Sequence, residues 1–154
     1  MLQSLWIMRH GLAESHFDTD FNRALSDIGK MQAENIAQQL LAEQGELPEH
    51  MLVSPLRRTQ ETAQQVHETL GMTRPFEDEA LLIHSADHKL LGDYLLSHHS
   101  AKLMIVSHMP IVAELCQYLV PGCEVFGFQT AQVVKLVFDS SRKAAIEKIY
   151  LAKN

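Results

Sequence analysis

Short apolar runs alternate along this chain with stretches of helical periodicity, and the strand-like runs are too brief to be anything but buried strands. Leu5 to Met8, Met51 to Val53 and Leu103 to Val106 are such runs, and each leads into a polar cluster. The clusters are Arg9-His10-Gly11, Ser54-Pro55-Leu56-Arg57-Arg58 and Ser107-His108-Met109-Pro110. Strands that alternate with helices imply a three-layer α/β/α fold: a mostly parallel central sheet, right-handed crossovers and helices on both faces. Ligands in such sheets bind outside the carboxyl ends of the strands, where all three clusters fall.

Between the strands the helices carry their own punctuation. Ser26 is placed to cap a helix with Ala33, Ile36, Ala37, Leu40 and Leu41 on one face, and Gly45 to stop it. The next is predicted with Ser54 at its N-cap, Pro55 at its first helical position and Gly71 just past its end. Leu56, Thr59, Ala63, Val66 and Leu70 form its buried stripe. A brief strand is expected near Arg74 to Phe76, then a helix capped by Ser85 and carrying Leu90, Leu91, Tyr94 and Leu95. Pro110 opens a further helix with Val112, Leu115, Cys116 and Leu119 inward, closed by Pro121-Gly122. Ala131 to Phe138 and Ala144 to Leu151, joined by Asp139 to Arg142, predict a terminal antiparallel hairpin.

Length and charge bound the function. The 154 residues, 46% of them hydrophobic, suffice for one core, so one domain over residues 1–154 is expected. A net charge of -6 argues against general affinity for nucleic acid or an anionic membrane surface, so a positive site must be local. The Leu5 to Met8 run is too short for a signal sequence and meets Arg9-His10 directly. No stretch approaches the roughly 20 apolar residues of a membrane span, and a cytoplasmic protein is expected. Cys116 and Cys123 have neither a redox nor a zinc spacing and are expected as reduced thiols. His84 and His88 stand four apart without a third ligand nearby, and His98-His99 closes a helix, where positive charge is favoured. No metal and no cofactor is expected.

The clusters suit a phosphoryl group. Arginine offers planar, permanently charged, bidentate donors, which makes Arg9 and Arg58 the candidates to hold phosphate. A neutral His10 could attack phosphorus if its other ring nitrogen donates to a carbonyl. Gly11 would let backbone and phosphate come close. His108 is expected as an imidazolium stabilising the equatorial oxygens, with flanking arginines lowering its pKa and a bound dianion raising it.

Arg9-His10-Gly11, the Ser54 to Thr62 segment and Val106 to Pro110 resemble the histidine phosphatase superfamily, with its phosphoglycerate mutase-like fold. Leu25-Ser26-Asp27-Ile28-Gly29 with Gln32-Ala33 resembles a further segment of that family. The resemblance implies that Arg9 and Arg58 bind phosphate, that His10 becomes phosphorylated and that His108 completes the pocket. The family's serine-proline pattern, two variable residues and then arginine, selects Arg58 over Arg57.

Within the superfamily the chain looks most like the SixA group of phosphohistidine phosphatases. Members that cleave phosphate esters carry an acidic residue to protonate the leaving alkoxide, often just after the second histidine, where this chain has Met109. Imidazole leaves phosphorus more readily and needs an acid less. The expected substrate is a phosphorylated histidine phosphotransfer protein, met by a monomer. Glu79-Ala80-Leu81-Leu82-Ile83-His84 departs from that group's pattern, so Glu79, His84 and Asp87 are possible acids near the mouth. A small-molecule phosphomonoesterase and a noncatalytic phosphate- or phosphoprotein-binding module stay open as alternatives.

Overall fold

Six strands form one sheet in the order β3-β2-β4-β1-β5-β6 in a computed structural model that describes residues 1–153. The strands are β1 (Ser4–Arg9), β2 (His50–Val53), β3 (Glu77–Asp78), β4 (Lys102–Ser107), β5 (Val133–Phe138) and β6 (Ala144–Tyr150). The four helices are α1 (Asp27–Ala42), α2 (Arg57–Leu70), α3 (His88–Leu96) and α4 (Ile111–Leu119). β3, β2, β4 and β1 run parallel, β5 is antiparallel to β1, and β5 and β6 form the antiparallel hairpin expected from the sequence.

Side chains alternate across a strand, so each strand feeds two cores. Leu5 and Ile7 of β1 join Leu52, Leu103 and Ile105 against Leu91 and Leu95 of α3 and Ile111, Val112 and Leu115 of α4. Trp6 and Met8 face the other way, with Met51, Val53, Met104 and Val106, against Ala33, Ile36, Ala37 and Leu40 of α1 and Ala63 and Val66 of α2. Each Val, Leu, Ile or Met side chain fully buried in this way contributes roughly 1.5–3 kcal/mol. Among the described residues, no helix is long and apolar enough to cross a membrane.

Several helix boundaries differ from those read in the sequence. Ser26 does cap α1, accepting the Gly29 N–H, but the left-handed residue beyond that helix is Gln44, with φ 56°, and not Gly45. Leu41 stays exposed, as does Leu90 on α3. α2 starts at Arg57, so Ser54 is not its cap and Pro55 lies outside the helix; Gly71 ends it as expected, with φ 68°. Asp87, not Ser85, caps α3, its carboxylate accepting the Lys89 and Leu90 N–H groups. The short edge strand is Glu77–Asp78, just beyond the segment expected.

The register of the parallel strands places the site. Arg9 pairs with Ser107 across β1 and β4, and Val53 pairs with Val106 across β2 and β4. The next residues along, His10, Ser54 and His108, therefore leave the sheet at one level.

Candidate active site

At the end of β1 the backbone of His10 is pinned on both sides, its N–H donating to Ser107 O at 3.1 Å and its carbonyl accepting from Ala131 at 2.9 Å. The imidazole is as tightly held. Nδ1 lies 2.7 Å from the Gly11 carbonyl, which can only accept, so Nδ1 carries the proton and Nε2 keeps its lone pair. Burial, and then the charges of Arg58, Arg9 and Arg23, push the His10 pKa down to about 4, against the opposing pull of the Gly11 carbonyl. The ring is thus neutral at physiological pH, with one nitrogen oriented and the other bare.

His108 sits beside it, ring centroids 5.3 Å apart and nearly edge-on. Its Nε2 is 2.7 Å from Ser54 Oγ, while Nδ1 is buried and has no partner. Burial, followed by His10, Arg58, His84 and Arg9, pushes its pKa down to about 2. His108 is therefore neutral in the protein without phosphate: with two histidines and the arginines crowded into one buried site, a further charge has too little solvation.

Arginines surround the histidine pair. Arg9 donates from Nη1 to the Phe128 carbonyl at 2.7 Å, and its Nε is buried with no partner. Arg58 comes from the first turn of α2, is only 7% exposed, and donates from Nη1 to the Asp20 carbonyl at 2.9 Å, with the Asp20 carboxylate 3.4 Å away. Arg57 points elsewhere, into an exposed i,i+4 pair with Glu61 at 3.2 Å. The choice of Arg58 over Arg57 thus has a geometric counterpart.

These groups line one open cavity of about 330 Å³, together with Asp20, Arg23, His84, Leu12, Met109 and Thr130. Gly11 is not among its lining residues. Its N–H is spent on Thr62 Oγ1 at 3.1 Å, and a Cβ there would meet the Gly29 carbonyl at 2.6 Å, so close packing against α1, rather than approach to phosphate, is what demands glycine. Of the three possible acids only His84 is at the cavity, its ring 5.6 Å from that of His108. Glu79 instead accepts the Leu81 N–H at the start of a 3-10 turn, and Asp87 is committed to capping α3.

Four contributors were not among the site residues expected from the sequence. Ser54 has the composition of a helix cap, yet its hydroxyl holds His108. Asp20 and Arg23 lie in the polar loop between β1 and α1, where no periodicity marks them; Arg23 donates to the Glu14 carbonyl at 2.6 Å and stacks 4.9 Å over Phe17. Thr62 ties the Gly11 N–H to α2, also donating to the Arg58 carbonyl at 2.7 Å.

An imidazole with one free ring nitrogen, set between arginines at the carboxyl edge of a mixed sheet, suits phosphoryl transfer, and residues 5–82 match the family model of the histidine phosphatase superfamily, branch 1. The chain belongs to that superfamily, and within it to the SixA-like group. It is 32% identical over 149 residues to the phosphohistidine phosphatase SixA homolog of Haemophilus influenzae, covering 90% of each chain. It is 29% identical over 140 residues to phosphohistidine phosphatase SixA of Escherichia coli strain K12, covering 89% of this chain and 86% of that protein. The solved structure of protein histidine phosphatase SixA complexed with tungstate superimposes with a TM-score of 0.89 at 27% identity, over 96% of both chains.

Proposed function

We propose that residues 1–154 act as one cytoplasmic, cofactor-free phosphatase domain that removes phosphate from phosphohistidine on a phosphotransfer protein. The observation that carries this reading is the His10 imidazole, neutral, fixed through Nδ1 to the Gly11 carbonyl and flanked by Arg9 and Arg58. Its relatives named as phosphohistidine phosphatases support the same reading.

The chemistry follows from that arrangement. The Nε2 lone pair of His10 attacks phosphorus in line and the bond between phosphorus and the substrate imidazole breaks; that ring, already protonated on its other nitrogen, leaves as a neutral imidazole with the bonding pair on the departing nitrogen. Arg9 and Arg58 hold the equatorial oxygens as charge spreads over them. In our reading the Ser54 hydroxyl donates to His108 Nε2, which leaves His108 Nδ1–H to donate to a phosphoryl oxygen and accounts for its lack of a partner. Water then attacks the phosphorus on His10; the P–N bond breaks, orthophosphate leaves and His10 returns with its proton on Nδ1.

Leaving-group chemistry favours phosphohistidine over an ester. Asp20 is the one carboxylate lining the cavity among the described residues, and it is engaged with Arg58. An alkoxide would need a donor, whereas a phosphorylated imidazole already protonated on its far nitrogen leaves as a neutral ring without one. The second reading, a small-molecule phosphomonoesterase, rests on His84 at the mouth. Catalytic efficiencies on a phosphorylated phosphotransfer domain and on a panel of alkyl and sugar phosphates separate the two. The phosphoprotein is expected to be turned over at least a hundredfold more efficiently, with His84→Ala leaving that rate within about twofold. Efficient turnover of the esters alone overturns the proposal.

A further inference from the structure

At the opposite edge of the sheet, three histidines that the phosphatase chemistry does not use come together. His50 opens β2, while His98 and His99 follow α3 just before β4. One ring nitrogen of each lies within 4.8 Å of the other two, and His98 and His99 stack with centroids 4.5 Å apart. We infer that His50, His98 and His99, with the Glu77 carboxylate as fourth ligand, form a site for a divalent ion of the zinc type.

The buried member of the cluster shows why a cation belongs there. His50 is 1% exposed, and its Nδ1 is 2.8 Å from Ser100 Oγ. Its Nε2 is buried without a hydrogen-bond partner, yet lies 3.2 Å from Glu77 Oε1. The contact is closed either by a proton on Nε2 or, with Nδ1–H donating to Ser100, by a cation held between the Nε2 lone pair and the carboxylate. Ser100 then has the role an outer partner has in built sites, fixing the tautomer of a ligand.

Imidazoles with one carboxylate suit zinc, and bonds of about 2.0–2.1 Å bring ligand atoms on one tetrahedral ion to about 3.4 Å from each other. Closing from 4.8 Å asks for side-chain movement of about an ångström, which exposed His99 and half-exposed Glu77 can supply. An ion there competes with the Arg74 guanidinium, 3.5 Å from Glu77 Oε1, and, if His98 ligates through Nδ1, with the Ser100 N–H to Nδ1 bond of 3.1 Å. Bound there, it would clamp the starts of β2 and β3 to the connection between α3 and β4. β2 is four residues long, so the ion would lie roughly 13 Å of strand away from Ser54 and outside the phosphatase pocket.

The test is a zinc titration of the chelator-treated full chain in competition with a chromophoric chelator, paired with thermal unfolding at each zinc concentration. The wild type is expected to take up one equivalent per chain and to unfold at higher temperature as zinc rises. His99→Ala and Glu77→Gln, both exposed and harmless to the core, are each expected to weaken binding at least tenfold and remove the thermal shift. A His10→Ala, His84→Ala variant should bind as the wild type does. No stoichiometric uptake by the wild type, undiminished binding by His99→Ala, or loss of binding in the pocket variant each overturns the inference.

Discussion

Ser54 Oγ and His108 Nε2 lie 2.7 Å apart, a bond that joins the carboxyl end of β2 to that of β4 beside the cavity that His10 and His108 line. Ser54→Ala leaves a buried ring nitrogen unpaired, which costs about 1–3 kcal/mol of stability. It also frees the His108 tautomer. kcat/KM should drop about tenfold or more and affinity for an inorganic oxyanion inhibitor should fall with it, while helical content by circular dichroism stays unchanged because α2 takes no cap from this serine.

Arg9→Ala and Arg58→Ala should each cost on the order of a hundredfold in kcat, as loss of fixed charge at the transition state does. Arg57→Ala, which breaks only an exposed pair with Glu61, should stay within about threefold. Steady-state kinetics on one phosphorylated substrate separates the two arginine classes.

The histidine pair sets the acid side of the pH dependence. Both folded-state pKa values lie below the ordinary value of 6.5, at about 4 for His10 and about 2 for His108. His10, the proposed nucleophile, therefore stays unprotonated down to about pH 4, and the acid limb of kcat/KM should fall well below pH 6. The unfolded chain binds these protons near 6.5, so the stability that the neutral rings contribute is complete above that pH and is lost as pH falls toward 4 and below. Urea midpoints measured between pH 7 and 4 should decline accordingly, and less steeply in a His10→Asn variant.

Gly11→Ala places a Cβ 2.6 Å from the Gly29 carbonyl, and Gly29→Ala one 2.3 Å from the Leu12 carbonyl. Each should lower stability by about 1–3 kcal/mol, with a matching loss in urea midpoint, because backbone rather than a pliable side chain must move. Activity in Gly11→Ala should fall further, since the same residue's carbonyl orients His10.

The fold was legible because its signal is local and repeated. Leu5 to Met8 and Leu103 to Val106 alternate faces as buried strands must, and Gly71 ends α2 where the periodicity stops. Convergence of Arg9, His10, Arg58 and His108 followed from their common place after parallel strands. What stayed hidden was how polar groups are shared out. A serine before a proline is chemically the same whether it caps a helix or holds an imidazole, and only the Val53–Val106 register brings Ser54 to His108. Glu79 and Asp87 have the chemistry of acids but are spent on local N–H groups. Asp20 and Arg23 reach the cavity from an aperiodic loop, and Gly11 owes its identity to a helix 18 residues further on.

The central claim is that His10 Nε2 takes the phosphoryl group. A rapid-quench reaction with a phosphotransfer domain labelled on its phosphohistidine measures this directly. The expected result is an enzyme-bound phosphate, acid-labile and base-stable, that maps to His10, forms and decays within one turnover and is absent from His10→Ala, which is inactive. Release of labelled orthophosphate at the wild-type rate by His10→Ala, or turnover by the wild type with label on another residue or none at all, would contradict it.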